Sequence, residues 1–205
     1  MIEKLNYTLV DTGENPKKVI VALHGYQGTA KSMQLLIKLM NINEVTWFFP
    51  EAPYKVNDHS TGFSWSYQDK NGIWKTKEIK KLLLSFFDNL FLKYKSQNIY
   101  VIGFSQGAVI CLNFVLKLDQ TLGGVFPIAG FFRNPQKDSR INNKQKNTPI
   151  IIGHGINDDI VDYNQSIEAY QLLKKQNANV RLIDYKGKHK ISIEYLKKIK
   201  NIIIK

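Results

Sequence analysis

The chain has 205 residues, 43% hydrophobic, 12% aromatic and 22% charged, which suits one domain with a sizeable interior and is too apolar for a disordered chain. No apolar run approaches the roughly 18 to 20 residues of a membrane-spanning helix. The N-terminus lacks the pattern of a secretory signal, and the single cysteine, Cys111, forms no intramolecular disulfide, so a cytoplasmic location is expected. The 29 Lys+Arg against 17 Asp+Glu give a net charge of +12, but the lysines are scattered and no nucleic-acid motif or zinc-ligand spacing accompanies them, so the charge reads as a solvated surface without a nucleic-acid partner.

In chain order, β-rich apolar runs occur at 18–23, 45–49, 99–104, 124–128, 149–153 and 180–185. Most are continuous rather than alternating, as in strands buried on both faces. Between them lie helical patterns at 32–40, 78–95, 106–118 and 164–176, with 191–205 closing the chain. Leu82, Phe86, Leu90 and Tyr94 recur at helical spacing, as do Tyr195, Leu196, Ile199, Ile202 and Ile203. The basic C-terminal segment is expected to pack on the sheet, with at most peripheral membrane contact. Strand and helix in alternation predict an α/β domain with a mostly parallel sheet and helices on both faces, spanning 1–205. Segments 50–72 and 130–148 have no periodicity and are long for α/β connections, which marks them as candidate functional loops.

The sequence Gly103-Phe104-Ser105-Gln106-Gly107 follows one predicted strand and opens a predicted helix. That is the setting of a nucleophile elbow, in which a strained turn presents serine and small flanking residues let strand and helix approach. A serine hydroxyl is a poor nucleophile at neutral pH, so it needs a base, an acid to orient that base, and donors for the oxyanion. For this elbow the acid and the histidine follow the serine in that order. Of His24, His59, His154 and His189, only His189 follows both the serine and a loop acid after a strand. The acid lies after the 149–153 run, where Asp158 and Asp159 are adjacent and spacing does not choose between them.

Leu23-His24-Gly25, the Gly103–Gly107 elbow, His154-Gly155-x-x-Asp158-x-x-Val161 and Gly187-x-His189 stand in that order, with Pro50-Glu51-Ala52-Pro53 and Trp65 between the first two. Together they resemble the phospholipase/carboxylesterase family of α/β-hydrolases, the group that contains acyl-protein thioesterases. The resemblance implies Ser105 as nucleophile, His189 as general base and acid, and Asp158 as the orienting acid. It further implies an oxyanion hole from the backbone N–H groups of Tyr26 and Gln106, a compact α/β-hydrolase fold without a large cap, and neither metal nor organic cofactor. Asp162 and Lys188 depart from that pattern, where proline and glycine are common.

The substrate expected is a small-molecule or lipid acyl ester or thioester, or an acylated protein. A dienelactone-hydrolase-like or short-chain esterase is the alternative, and a non-catalytic lipid- or protein-binding relative a more distant one. Tyr54, Phe63, Trp65, Tyr67 and Trp74 cluster in and beside the first loop, either as packing or as the wall of an acyl groove. Phe63, Trp65 and Tyr67 are the substrate-binding candidates among them. His24 and His154 read as structural, His59 as exposed and Cys111 as a buried small hydrophobe. Lys186, Lys188 and Lys190 bracket His189 and would attract an anionic substrate.

Overall fold

The computed structural model describes residues 4–57, 59, 61–68, 70–71, 74–75 and 77–205, with Trp74 described for its backbone alone. The predicted apolar runs become six strands of a seven-stranded sheet: β2 (Lys18–Leu23), β3 (Val45–Pro50), β8 (Ile99–Phe104), β9 (Gly124–Ile128), β10 (Ile150–Gly155) and β11 (Val180–Tyr185), with β1 (Tyr7–Thr12) at one edge and β11 at the other. The order is β1-β3-β2-β8-β9-β10-β11, parallel except for β1, which runs antiparallel to β3 from Tyr7 opposite Pro50 to Thr12 opposite Val45. No strand is expected at β1 from its sequence, because an edge strand is half solvated and shows no continuous apolar run. Two small antiparallel pairs, β4 (Tyr54–Lys55) with β5 (Phe63–Ser64) and β6 (Tyr67–Gln68) with β7 (Trp74–Lys75), occupy the aperiodic first loop and the residues just after it.

Alternate side chains of each buried strand serve opposite layers. Val19, Val21 and Leu23 join one core cluster with Leu83 and Phe87 of α3 (Lys77–Lys93), Cys111 of α4 (Gln106–Asn113) and Leu173 of α6 (Tyr163–Lys175). Ile20 and Ala22 join the other, with Met33 of α1 (Ala30–Met33), Leu36 and Met40 of α2 (Leu35–Met40), and Tyr195, Leu196, Ile199 and Ile203 of α7 (Ile193–Ile203). The short α5 (Pro135–Asp138) lies in the second aperiodic segment. No helix of the described residues is long and apolar enough to cross a membrane.

Two helices differ from expectation. The 32–40 pattern is broken at Gln34 into α1 and α2, with α1 starting ahead of it because Thr29 and Ser32 form a reciprocal capping box. The 106–118 pattern ends at Asn113 and continues as a 3₁₀ turn over Val115–Lys117. Asn113 is engaged elsewhere: its amide donates to Phe131 O (2.9 Å) and its Oδ1 accepts the Arg133 N–H (3.1 Å), drawing the second aperiodic segment onto α4.

The chain crosses from β3, on one side of β2, to β8 on the other. Helices therefore diverge above the carboxyl ends of β2 and β8, and such a switch point leaves a crevice there. Close approach of α4 to β2 shapes that crevice. A Cβ built on Gly107 would stand 2.7 Å from the Leu23 carbonyl carbon and 2.8 Å from His24 O, both backbone atoms that cannot rotate away. Gly107→Ala is therefore expected to lower stability by about 1–3 kcal/mol, read as a lower urea midpoint; an unchanged midpoint would show that α4 slides freely on the sheet.

Candidate active site

Ser105 occupies the turn between β8 and α4 with φ 53° and ψ −114°, a backbone conformation that L-residues rarely adopt. Its N–H is held by Ile128 O at the end of β9 (2.8 Å), and its carbonyl begins α4 by accepting from Val109 N (3.0 Å). Strain at a residue so firmly anchored is a feature of functional turns, because the neighbouring strand and helix over-determine it. The side chain caps no helix N–H and projects into the crevice.

The loops after β10 and β11 meet beside this turn, since those strands pair in parallel with Gly155 opposite Tyr185. His189 Nδ1 lies 2.8 Å from Asp158 Oδ2, and the His189 ring sits against the Phe104 ring with centroids 4.8 Å apart. With Nδ1 turned to the carboxylate, Nε2 is the nitrogen left for proton transfer. Ser105 Oγ makes no hydrogen bond among the described residues; in unliganded sites such contacts are commonly long and tighten when substrate binds.

Asp158 is the better anchored of the two adjacent acids. Its Oδ1 accepts from the N–H groups of Ile160 and Val161, both at 2.9 Å, and its side chain is out of solvent. Burial alone would raise its pKa, but the Val161 N–H, the His189 ring and the Ile160 N–H together hold it below the usual carboxylate value. Asp159 points to solvent and pairs with Lys188 at 3.1 Å. An exposed pair of this kind contributes little, yet it engages one of the three lysines expected to attract anions.

His24 and His154 are both buried. His24 Nδ1 donates to Gly25 O (2.8 Å) while its Nε2 accepts the Ala52 N–H (3.0 Å). His154 Nε2 donates to Val161 O (3.0 Å), with Nδ1 2.7 Å from Ser166 Oγ, and the ring steadies the Asp158 loop. Desolvation lowers both pKa values and keeps both rings neutral. Cys111 is buried beneath Gly103, and burial pushes its thiol far above the ordinary value, so it is unreactive.

The loop after β2 closes the other side of the crevice. A Cβ on Gly25 would lie 3.3 Å from Ser105 Cβ, so this loop runs directly past the serine. Gln106 is the first residue of α4, where a backbone N–H has no intrahelical acceptor. Tyr26 precedes Gln27, whose φ of 60° turns the chain while its N–H bonds Phe63 O (3.0 Å); Phe63 N in turn donates to Gly28 O (3.0 Å). The Gln106 side chain ties in as well, its Oε1 accepting Trp65 N–H (3.0 Å) and its amide donating to Ser64 Oγ (2.9 Å).

A cavity of about 400 Å³ opens on Ser105, lined by Tyr26, Ser105, Gln106, Val109, Phe131 and Arg133. None of Phe63, Trp65 and Tyr67 lines this cavity, although Trp65 lines an adjoining one that shares Val109 and Arg133 with it. Trp65 is fully buried, its indole N–H donating to His24 O (2.8 Å) and its ring 5.1 Å from the His24 ring, so it braces the loop after β2 from beneath. Phe63 holds the same loop by its backbone, and its ring faces another depression, beside Glu51 and Pro53. Tyr67 is exposed and packs edge-on against Tyr54, 4.7 Å between centroids. The Trp74 ring lies outside the described residues. Val109, one turn along α4 from the serine, and Phe131 and Arg133 in the second aperiodic segment are wall residues that no sequence motif marks. For the last two, the segment's length is the sole signal.

A sequence profile of the phospholipase/carboxylesterase family matches residues 6–205. The chain belongs to this family. Among its relatives, acyl-protein thioesterase 1 of Debaryomyces hansenii is 31% identical, over 94% of this chain and 92% of that protein, and acyl-protein thioesterase 1 of Candida albicans is 30% identical, over 94% and 95%. Among solved structures, esterase PE8 superposes with a TM-score of 0.85 at 21% identity, covering 98% of each chain. The Bacillus cereus carboxylesterase does so with a TM-score of 0.80 at 20% identity, covering 98% of this chain and 94% of that one. These two carry the α/β-hydrolase fold expected from the strand and helix alternation. As a phospholipase/carboxylesterase-family member, the protein is a serine hydrolase acting on esters or thioesters.

Proposed function

We propose that Ser105, His189 and Asp158 form the catalytic triad of a single-domain hydrolase, and that the N–H groups of Tyr26 and Gln106 form its oxyanion hole. The observation that carries this reading is the strained Ser105 elbow facing the cavity, with the Asp158–His189 pair seated beside it at 2.8 Å. Ser105 Oγ attacks the acyl carbonyl while His189 Nε2 takes its proton, and Asp158 stabilises the imidazolium through Nδ1–H. Charge developing on the carbonyl oxygen meets the two N–H groups, which are oriented before reaction and so cost no reorganisation. His189 then protonates the departing alcohol or thiol. Water, activated by the same ring, hydrolyses the acyl-serine ester and restores Ser105.

The substrate is a small-molecule or lipid acyl ester or thioester that fits the cavity, with an acylated protein as a further donor; the names of the fungal relatives support the last. A cytoplasmic location agrees with the lone, inert cysteine. Thioesters and oxyesters share this machinery, so leaving-group preference rests on the mouth of the crevice. Acyl length is set by the walls: each methylene buried on Val109 and Phe131 contributes about 0.8 kcal/mol, or roughly fourfold in kcat/KM. A p-nitrophenyl ester series from two to sixteen carbons is therefore expected to rise by that step and then flatten or fall once the cavity is full. A profile flat from the start would show that the acyl chain lies outside it.

A further inference from the structure

Two cavities meet at Arg133. The one that opens on Ser105, of about 400 Å³, shares Val109 and Arg133 with a cleft of about 60 Å³ between α3 and α4, lined by Trp65, Ile79, Leu83, Ile110 and Phe114. Asp138 and the exposed Lys80 also border the cleft. The Arg133 side chain forms the partition, as the bonds at its two ends show. Its backbone N–H is held by Oδ1 of Asn113 (3.1 Å), the last residue of α4, and its Nη2 donates to Ser66 Oγ (2.7 Å), which lies 3.3 Å from the amide nitrogen of Gln106, the first residue of that helix. Gln106, Val109 and Asn113 follow one another along one helix face over about two turns. The side chain of Arg133 therefore runs back along α4 and passes over Val109, which both cavities share. Its head is fixed there: Nη1 is shut off from solvent, Nη2 is bonded to Ser66, and Asp138 attracts the charge.

We infer that Arg133 is a specificity residue that limits acyl length, a bar that stops the chain at the end of the Ser105 cavity and closes off the cleft beyond it. This rests on the reading of Ser105 as nucleophile and of Val109 and Phe131 as the acyl wall. A hydrocarbon end that reaches the bar passes only by displacing the guanidinium, which breaks a charge-assisted hydrogen bond and leaves a desolvated cation against methylenes. The preferred substrates are accordingly esters or thioesters of short and medium acyl chains, and long fatty acyl chains are poorer. The side chains of Ile79, Leu83 and Phe114 in the cleft supply apolar surface for a longer chain once the bar is gone.

The test measures kcat/KM along the p-nitrophenyl ester series, each ester below its critical micelle concentration, for the parent and for Arg133→Ala. The parent is expected to peak within the series and to fall beyond the peak. Arg133→Ala is expected to peak at a longer chain, with each methylene accepted beyond the parent's optimum adding roughly fourfold to the ratio of long-chain to acetyl ester. Arg133→Leu, which keeps an apolar stem over Val109 and loses the guanidinium, is expected to shift the peak in the same direction by fewer carbons, and serves if the alanine variant does not fold. A residue that only braces Ser66 and Gln106 would, when removed, slow all esters in parallel and leave the peak in place. That result, or a parent whose kcat/KM rises to the longest ester or shows no dependence on length, would overturn the inference. Labelling of Ser105 by short- and long-chain alkyl fluorophosphonates, read by intact mass, separates the two failures. Equal relative rates of the two probes in parent and variant remove the role of Arg133, and absence of any label removes the nucleophile on which it rests.

Discussion

Ser105→Ala is expected to lower kcat for any turned-over ester by about 10⁶-fold, leaving only the residual acceleration that oxyanion donors and binding supply. The same change should abolish a fluorophosphonate adduct seen by intact mass on the parent protein. The reasoning is geometric. Ser105 is the hydroxyl presented at the strained turn, and Cys111, the only thiol in the chain, is buried with its thiolate disfavoured. Among the described residues no other nucleophile on the cavity wall replaces it, since the wall besides Ser105 consists of Tyr26, Gln106, Val109, Phe131 and Arg133. Folding should be little affected, because Oγ makes no hydrogen bond among the described residues and alanine keeps Cβ. A variant that still acquires the adduct, or retains more than about a hundredth of wild-type kcat, would sink the assignment.

Asp158→Asn is expected to cost about 10⁴-fold in kcat, since an amide at this position favours the wrong imidazole tautomer and cannot stabilise the imidazolium. It carries a second signature in stability. The carboxyl is held below its ordinary pKa by the hydrogen bonds of Val161, His189 and Ile160, which outweigh its desolvation. A group depressed in the folded state contributes stability that is fully present above its unfolded value of about 4 and is lost as pH falls through the folded value. The wild-type advantage over Asp158→Asn in urea midpoint should therefore be constant above about pH 5 and shrink as pH drops below about 4. Asp159→Asn, which removes only an exposed partner of Lys188, should show neither effect. Equal kinetic losses in the two variants would mean that the orienting acid is misassigned.

Much of the sheet is legible in the residue pattern alone. β2, β8, β9 and β11 occupy the predicted residue ranges: the first three are buried on both faces and so need continuous apolar runs, while β11 at the far edge keeps enough β-rich residues between its turn signals to be read. β1 is illegible because its pattern, exposed at Tyr7, Thr8 and Leu9, is that of an edge whose partner on β3 lies about forty residues away in sequence. The early end of α4 depends on Asn113 bonding Phe131 and Arg133, a contact across the fold that no local propensity contains.

The site divides along the same line. Order and spacing bring the sequence by itself to the elbow at Ser105, to His189 beyond the last strand and to a choice between two neighbouring aspartates, because a sharp strand-to-helix turn and a loop after a strand are local requirements that residue types satisfy locally. Spacing leaves open which carboxylate faces the imidazole and the family resemblance points to Asp158; the physical reason appears only in three dimensions, where the N–H groups of Ile160 and Val161 aim Asp158 inward and leave Asp159 to solvent. The cavity walls are decided there as well. Trp65 sits in the loop expected to wall the acyl groove and is a buried brace, while Val109, Phe131 and Arg133 converge on Ser105. A wall is made by whichever surfaces the packing of distant segments leaves uncovered, and that is a property of the packed fold.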